Sequence, residues 1–145
     1  MAKPKFDTFH TGRPGLRKIL GDLEAAIMEA VWRRGPGARI TVRDIVDDLK
    51  ATRGSAYTTV MTVMGILTQK ELLRVEKGGG AHSYQAAVSR AEFADLVVGK
   101  IVRELLADFT GPALAHFAQA IANGSSPVGV AKWLERIQAQ RKAES

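Results

Sequence analysis

The chain has no cysteine. A disulfide framework, a thiolate metal site and a cysteine nucleophile are all excluded, whatever the fold. No apolar run approaches the roughly 20 residues of a membrane-spanning helix, so no membrane insertion is expected. The opening residues, Met-Ala-Lys-Pro-Lys-Phe-Asp-Thr-Phe-His, have no apolar core of the kind a signal peptide carries, and a cytoplasmic protein is the expectation. Catalytic motifs are missing too: there is no H-E-x-x-H, no P-loop and no G-x-S-x-G. The three histidines, His10, His82 and His116, are far apart in sequence and give no pair with metal-ligand spacing. No cofactor, metal or enzymatic activity is expected. One further absence is local. From Ser55 to Gln69 there is not a single charged residue, although the segment reads as a helix.

What is present fits a globular protein. Of the 145 residues, 46% are apolar and 25% charged, the net charge is +6 and the sequence pI is about 9.9. That charge is unevenly placed. Residues 1–90 carry 15 Lys and Arg against 9 Asp and Glu, whereas residues 91–145 carry six of each. A basic part joined to a neutral part suggests a polyanion-binding half and a half with another task.

Periodicity divides the chain further. Residues 1–18 read as a flexible basic arm with few aliphatics. Leu20, Leu23, Ala26/Ile27 and Ala30/Val31 then mark an amphipathic helix, capped at Gly21 or Asp22 and stopped by Gly35-Pro36-Gly37. Thr41-Val-Arg-Asp44 begins a second helix with a capping-box pattern, and its apolar face is Val42, Ile45/Val46 and Leu49. A third is expected from Ser55 to about Lys70. Its apolar positions, Val60, Val63/Met64 and Leu67, follow helical spacing despite the Thr and Val content. Between Leu72 and Ala86, alternation on both sides of Gly78-Gly79-Gly80 predicts a β-hairpin with a flexible tip. Ser89-Arg-Ala-Glu92 is a second capping box, ahead of a helix carrying Phe93, Leu96, Val97, Ile101, Leu105 and Phe109 that is expected to break at Gly111-Pro112. Leu114, Phe117 and Ile121 mark a shorter helix. Ser126-Pro127 opens a last one with Trp133, Leu134 and Ile137.

The fold class that follows is mainly α (α+β): a winged helix-turn-helix domain over residues 19–88 and a helical dimerisation domain over 89–145. The uncharged third helix then has a purpose. A recognition helix must approach base edges closely, and short hydroxyl side chains allow this while Glu or Lys would hold it away or repel phosphate. Arg53, Ser55, Tyr57, Thr58, Thr59, Thr62 and Lys70 are the candidate DNA contacts on and around it, with Lys77 and His82 flanking the hairpin tip. Ordinary surface threonines are the plainer alternative. The apolar positions from Phe93 to Ile137 are candidates for dimerisation, since three short helices cannot close a core alone; folding back on the winged helix is the alternative.

Four stretches carry a family resemblance: "LGDLEAAIMEAVW" (Leu20–Trp32), "TVRDIVDDL" (Thr41–Leu49), "YTTVMTVMGILTQKELL" (Tyr57–Leu73) and the glycine-tipped wing ending at Tyr84. With these the chain resembles the BlaI/MecI family of penicillinase-type repressors from about Leu20 onward. The resemblance implies a homodimeric winged-helix repressor on a palindromic double-stranded operator near resistance genes. It also implies a membrane-bound sensor metalloprotease, or a pathway it starts, that relieves repression by cutting the dimerisation region. Carried across by position, Thr58, Thr59 and Thr62 fall on the recognition-helix hydroxyls and Lys70 on a basic helix end. Three departures stand out. Gly65-Ile66 occupies a place where members often have a basic residue. The bond aligned with the family's Asn-Phe cleavage site is His116-Phe117. With no cysteine, the sensing of copper-responsive relatives is excluded. A ligand- or metal-responsive winged-helix regulator unconnected with antibiotics is the competing reading.

Overall fold

A computed structural model of the chain describes residues 5, 9, 10, 12, 13, 15–124, 135, 136 and 139. Trp133, Leu134 and Ile137, expected in a last helix, lie outside the described residues. The chain divides into two compact units, Met1–Val97 and Val98–Ser145.

The first unit begins with a 3-10 turn, Gly15–Lys18, followed by α1 (Asp22–Arg33), α2 (Val42–Leu49) and α3 (Tyr57–Gln69). Each helix buries the stripe its spacing specifies: Ala25, Ile27, Met28, Ala30 and Val31 on α1, Val42, Ile45, Val46 and Leu49 on α2, and Val60, Met64 and Leu67 on α3. The caps are local chemistry. Thr41 Oγ1 accepts the Asp44 N–H at 3.1 Å while the Asp44 carboxylate accepts the Thr41 N–H at 2.9 Å, satisfying two otherwise unpaired donors. Gly21 caps α1, and its N–H donates to Glu24 Oε1 at 3.3 Å. Gly35, at φ 98°, ends that helix with its N–H on the Trp32 carbonyl, a left-handed conformation that glycine adopts freely.

The end of α3 uses the same geometry without glycine. Glu71 takes φ 65°; its N–H reaches the Thr68 carbonyl and the Leu72 N–H reaches that of Leu67, both at 3.0 Å. This is a Schellman motif with its usual hydrophobic clasp, here between Leu67 and Leu72, neither of which is accessible to solvent. The start of α3 differs slightly from expectation: Ala56 is the N-cap and contributes no side-chain bond, so Ser55 precedes the helix.

The hairpin follows. β1 (Leu73–Glu76) and β2 (Ser83–Ala86) pair antiparallel, Leu73 opposite Ala86 and Val75 opposite Tyr84. Ile40 adds a one-residue bridge to Tyr84, exchanging N–H···O bonds of 2.9 and 2.7 Å. The hairpin is thereby pinned beside the start of α2.

α4 (Arg90–Asp108) opens with the expected box: Ser89 Oγ accepts the Glu92 N–H at 3.0 Å, and Glu92 accepts the Ser89 N–H at 3.2 Å. Its first turns belong to the first unit. Phe93 is sealed from solvent and Val97 nearly so. The Phe93 ring lies 6.1 Å from that of Trp32, whose indole N–H donates to the Val88 carbonyl at 2.9 Å. Phe93 and Val97, named above among the dimerisation candidates, are buried within this unit, and by contacts the chain divides after Val97.

In the second unit α4 continues and α5 (Thr110–Gly124) follows. The break is at Phe109, not at Gly111-Pro112 as expected, and the Ala113 N–H on the Phe109 carbonyl is among the first bonds of α5. Pro112 sits in the first turn, where a missing N–H removes no helical bond. Val98, Leu105, Phe109, Leu114, Phe117 and Ile121 are all exposed.

Candidate nucleic-acid interface

α3 has two unlike sides. Val60, Met64 and Leu67 anchor it in the core, while Tyr57, Thr58, Thr59, Met61, Thr62, Ile66 and Gln69 face solvent. The exposed side carries hydroxyls and short apolar groups and no charge. The Thr62 hydroxyl donates to the Thr58 carbonyl at 2.9 Å, as helical threonines often do. Its oxygen lone pairs and methyl group stay free, so Thr62 can accept from a base or meet a thymine methyl. Thr58 and Thr59, a turn closer to the helix start, have the same means. Exposed Met61 was not named from the sequence, and Ile66 was noted only as standing where family members often have a basic residue. Their exposure on this side of the helix is what marks them.

The flanks supply positive charge. Arg53 is exposed in the turn ahead of α3 and Ser55 is half-buried there. At the wing tip Lys77 and His82 are exposed on either side of Gly78-Gly79-Gly80. Arg39 reaches across to Glu76 at 2.8 Å, an ion pair at the wing's edge. Such exposed pairs are worth little in stability, but this one offsets the acidic charge that β1 brings toward the tip.

Lys70 is placed differently from the others. It is the C-cap of α3, and its ammonium meets Glu24 Oε2 at 2.7 Å with both side chains largely covered. Since Glu24 Oε1 also holds the Gly21 N–H, one carboxylate joins the start of α1 to the end of α3. The amine that the sequence offered to DNA is engaged inside the domain, and the backbone carbonyl of the same residue accepts the Lys5 N–H at 2.9 Å.

Arg43 is a residue the sequence reading passed over. It is exposed in the first turn of α2, and its guanidinium carbon lies 5.0 Å from the centre of the Tyr57 ring. Only the fold brings the two together, so no sequence pattern could have found the pair. Tyr57 also lies near enough to Tyr84 to contribute to its raised phenol pKa, although burial of Tyr84 is the larger cause. The recognition helix, the helix before it and the wing thus meet around two tyrosines.

Among the described residues no group of His, Asp and Glu is arranged to hold a metal, and no helix is long and apolar enough to cross a membrane. What the unit presents is a helix with a neutral, hydrogen-bonding exposed face, flanked by cations and a wing. That is the form of a major-groove reader.

Comparison with known proteins agrees. Residues 20–127 match the family described as penicillinase repressor. The transcriptional regulator BlaI of Mycobacterium tuberculosis, in two strains, is 37% identical over 120 residues, which is 83% of this chain and 75% of the relative. An uncharacterised 16.5 kDa protein from the ptsI 3′ region of Latilactobacillus sakei is 29% identical over 92 residues, 63% of this chain and 61% of that protein. The matched residues span the three helices, the wing, α4 and α5, and on these grounds the chain belongs to the penicillinase (BlaI/MecI) repressor family: it is a winged-helix transcriptional repressor that binds DNA, not an enzyme.

Proposed function

We propose that the protein works in the cytoplasm as a homodimer on a palindromic operator. One observation carries the dimer. Leu105, Phe109, Leu114, Phe117 and Ile121 are exposed, with Phe109 at 61% and Leu114 at 55%, and none of the described side chains of α5 is buried. An apolar face of this extent calls for a partner. A second copy satisfies it symmetrically and sets two recognition helices on successive turns of one duplex. Leu96 and Ile101 are half-buried and lie on α4 with Leu105. In this reading Thr58, Thr59 and Thr62 read the bases, and Arg53, Lys77 and His82 contact phosphate.

The membership supports control of β-lactam-resistance or related genes, with relief by a membrane sensor protease or its pathway. The bond aligned with the family's cleavage site, His116-Phe117, is exposed but lies within α5. A protease takes its substrate extended, so α5 must open locally before this bond is cut. The competing reading, a ligand-responsive regulator, is favoured by one feature: a groove of about 600 Å³ beside Trp32, bordered by Arg33, Arg74 and Val88.

Genomic footprinting followed by gel shift across salt tests the main reading. A short palindrome bound by a dimer, with half-sites one or two turns apart, is the expected result. Weak, steeply salt-dependent binding with no preferred sequence overturns it.

A further inference from the structure

Arg43 is a cation of the first unit that no described carboxylate neutralises, and one with an aromatic ring beneath it. The acidic residues of its own helix are already engaged: Asp44 by the Thr41 N–H, Asp47 by Lys50 at 3.1 Å, and Asp48 by the forked pair of bonds from Arg34 at 2.8 and 2.9 Å. Arg43 makes no ion pair with any described residue. Its one specific contact is the Tyr57 ring. Stacking occupies the face of a guanidinium and leaves its in-plane N–H donors pointing outward. Arg43 stands in the first turn of α2 and Tyr57 is the first residue of α3, so the guanidinium lies at the start of the recognition helix.

We infer that Arg43 is a phosphate-clamping residue for DNA, and that Tyr57 acts as a positioning residue that holds the guanidinium in place rather than as a reader of bases. This rests on the DNA-binding reading above. The position argues for phosphate over base. In a helix-turn-helix the helix ahead of the recognition helix crosses the sugar-phosphate backbone, and the planar fork of arginine matches a phosphate in two parallel bonds. A clamp at this point fixes the depth and angle of α3. The charge-free face of α3 can then specify bases without supplying any of the electrostatic attraction itself.

The test uses the full-length protein and an operator identified by footprinting, with affinities measured across salt for that operator and an unrelated duplex. Arg43→Ala should weaken both about tenfold and lower the salt slope by about 0.9 per protomer. Arg43→Lys, which keeps charge but loses the stacked fork, should retain the slope and lose part of the affinity. Tyr57→Leu should weaken binding in the same sequence-independent manner, add little on top of Arg43→Ala, and be rescued by Tyr57→Phe. An Arg43→Ala protein with unchanged slope overturns the clamp. A loss confined to one base-pair position also overturns it, since the guanidinium would then be reading a base. Additive losses from the two alanine and leucine changes overturn the positioning role of Tyr57. Both residues are exposed, so unchanged thermal unfolding of the variants shows that these readouts report binding. If the unaltered protein shows no sequence preference, the operator reading fails, and that is distinct from failure of the clamp.

Discussion

Phe93 and Phe117 occupy equivalent-looking positions in sequence, each in an apolar stripe on a helix of the C-terminal part, yet the first is fully buried and the second is 38% exposed. The contrast extends to their surroundings. Around Phe93, α1, α2, α3, the hairpin and the first turns of α4 close a core that includes Leu20, Ile27, Met28, Ile45 and Met64, all 0 or 1% exposed. Around Phe117, apolar side chains recur along α5 in exposed positions, Leu114 and Ile121 among them. A unit that completes its own core and a unit that leaves its core half-built answer different questions. The first holds a surface rigid against DNA, and the second, in the homodimer proposed above, leaves its apolar face to a second copy.

The sharpest way to break this comparison is to truncate the two phenylalanines. Phe93→Ala should cost about 3–5 kcal/mol, the range for an aromatic removed from a packed core, and lower the unfolding midpoint at every protein concentration. Phe117→Ala should leave the first unit's unfolding unchanged and weaken self-association by about 2 kcal/mol, roughly thirtyfold, read by sedimentation equilibrium. If Phe93→Ala changes association and spares stability, or Phe117→Ala does the reverse, the division drawn here is wrong.

Sequence patterning anticipated the helices and the wing because their signals are local. Thr41 with Asp44 and Ser89 with Glu92 are boxes that can be read three residues apart, and the alternation of Leu73 and Val75 is visible within a single strand. What could not be read is which surface each stripe meets. Phe93 and Leu105 have the same spacing on the same helix, and only the tertiary fold sends one to Trp32 and leaves the other in solvent. Ile40 gives a single-residue bridge, too short for any period. Lys70 looked like a free cation because Glu24, its partner, is far away in sequence. The same holds for Arg43 and Tyr57, each unremarkable alone. At Phe109 the expected breaker lay nearby, but a proline inside a first turn starts a helix rather than ending one.

A smaller effect is expected where the first unit departs from the usual residue choice. Glu71 takes the left-handed position of the Schellman motif at φ 65°, a conformation that costs a non-glycine residue about 1–2 kcal/mol. Glycine avoids that strain and loses more backbone freedom on folding, a partial offset. Glu71→Gly should therefore stabilise the protein by about 0.5–1 kcal/mol in denaturant unfolding, with no change in association. A loss of stability would mean that the Glu71 side chain contributes more than its backbone strain takes away.

The smallest effect tests whether the first unit's stability responds to its own caps alone. The Asp44 carboxyl lies below its ordinary value of 3.8, chiefly because it accepts the Thr41 N–H; burial opposes the shift, and the Thr41 hydroxyl and Arg34 add to it. A carboxylate whose pKa is depressed by folding contributes stability that is fully present above the ordinary value and is lost as pH falls through the folded value. The unfolding midpoint should thus decline from about pH 4 downward, and Asp44→Asn should make that decline shallower. Because the box lies wholly within the first unit, the difference between the two proteins should be the same at low and high protein concentration. A difference that grows with concentration would tie the α2 cap to self-association, and the self-contained unit around Phe93 would then have to be redrawn to include a second chain.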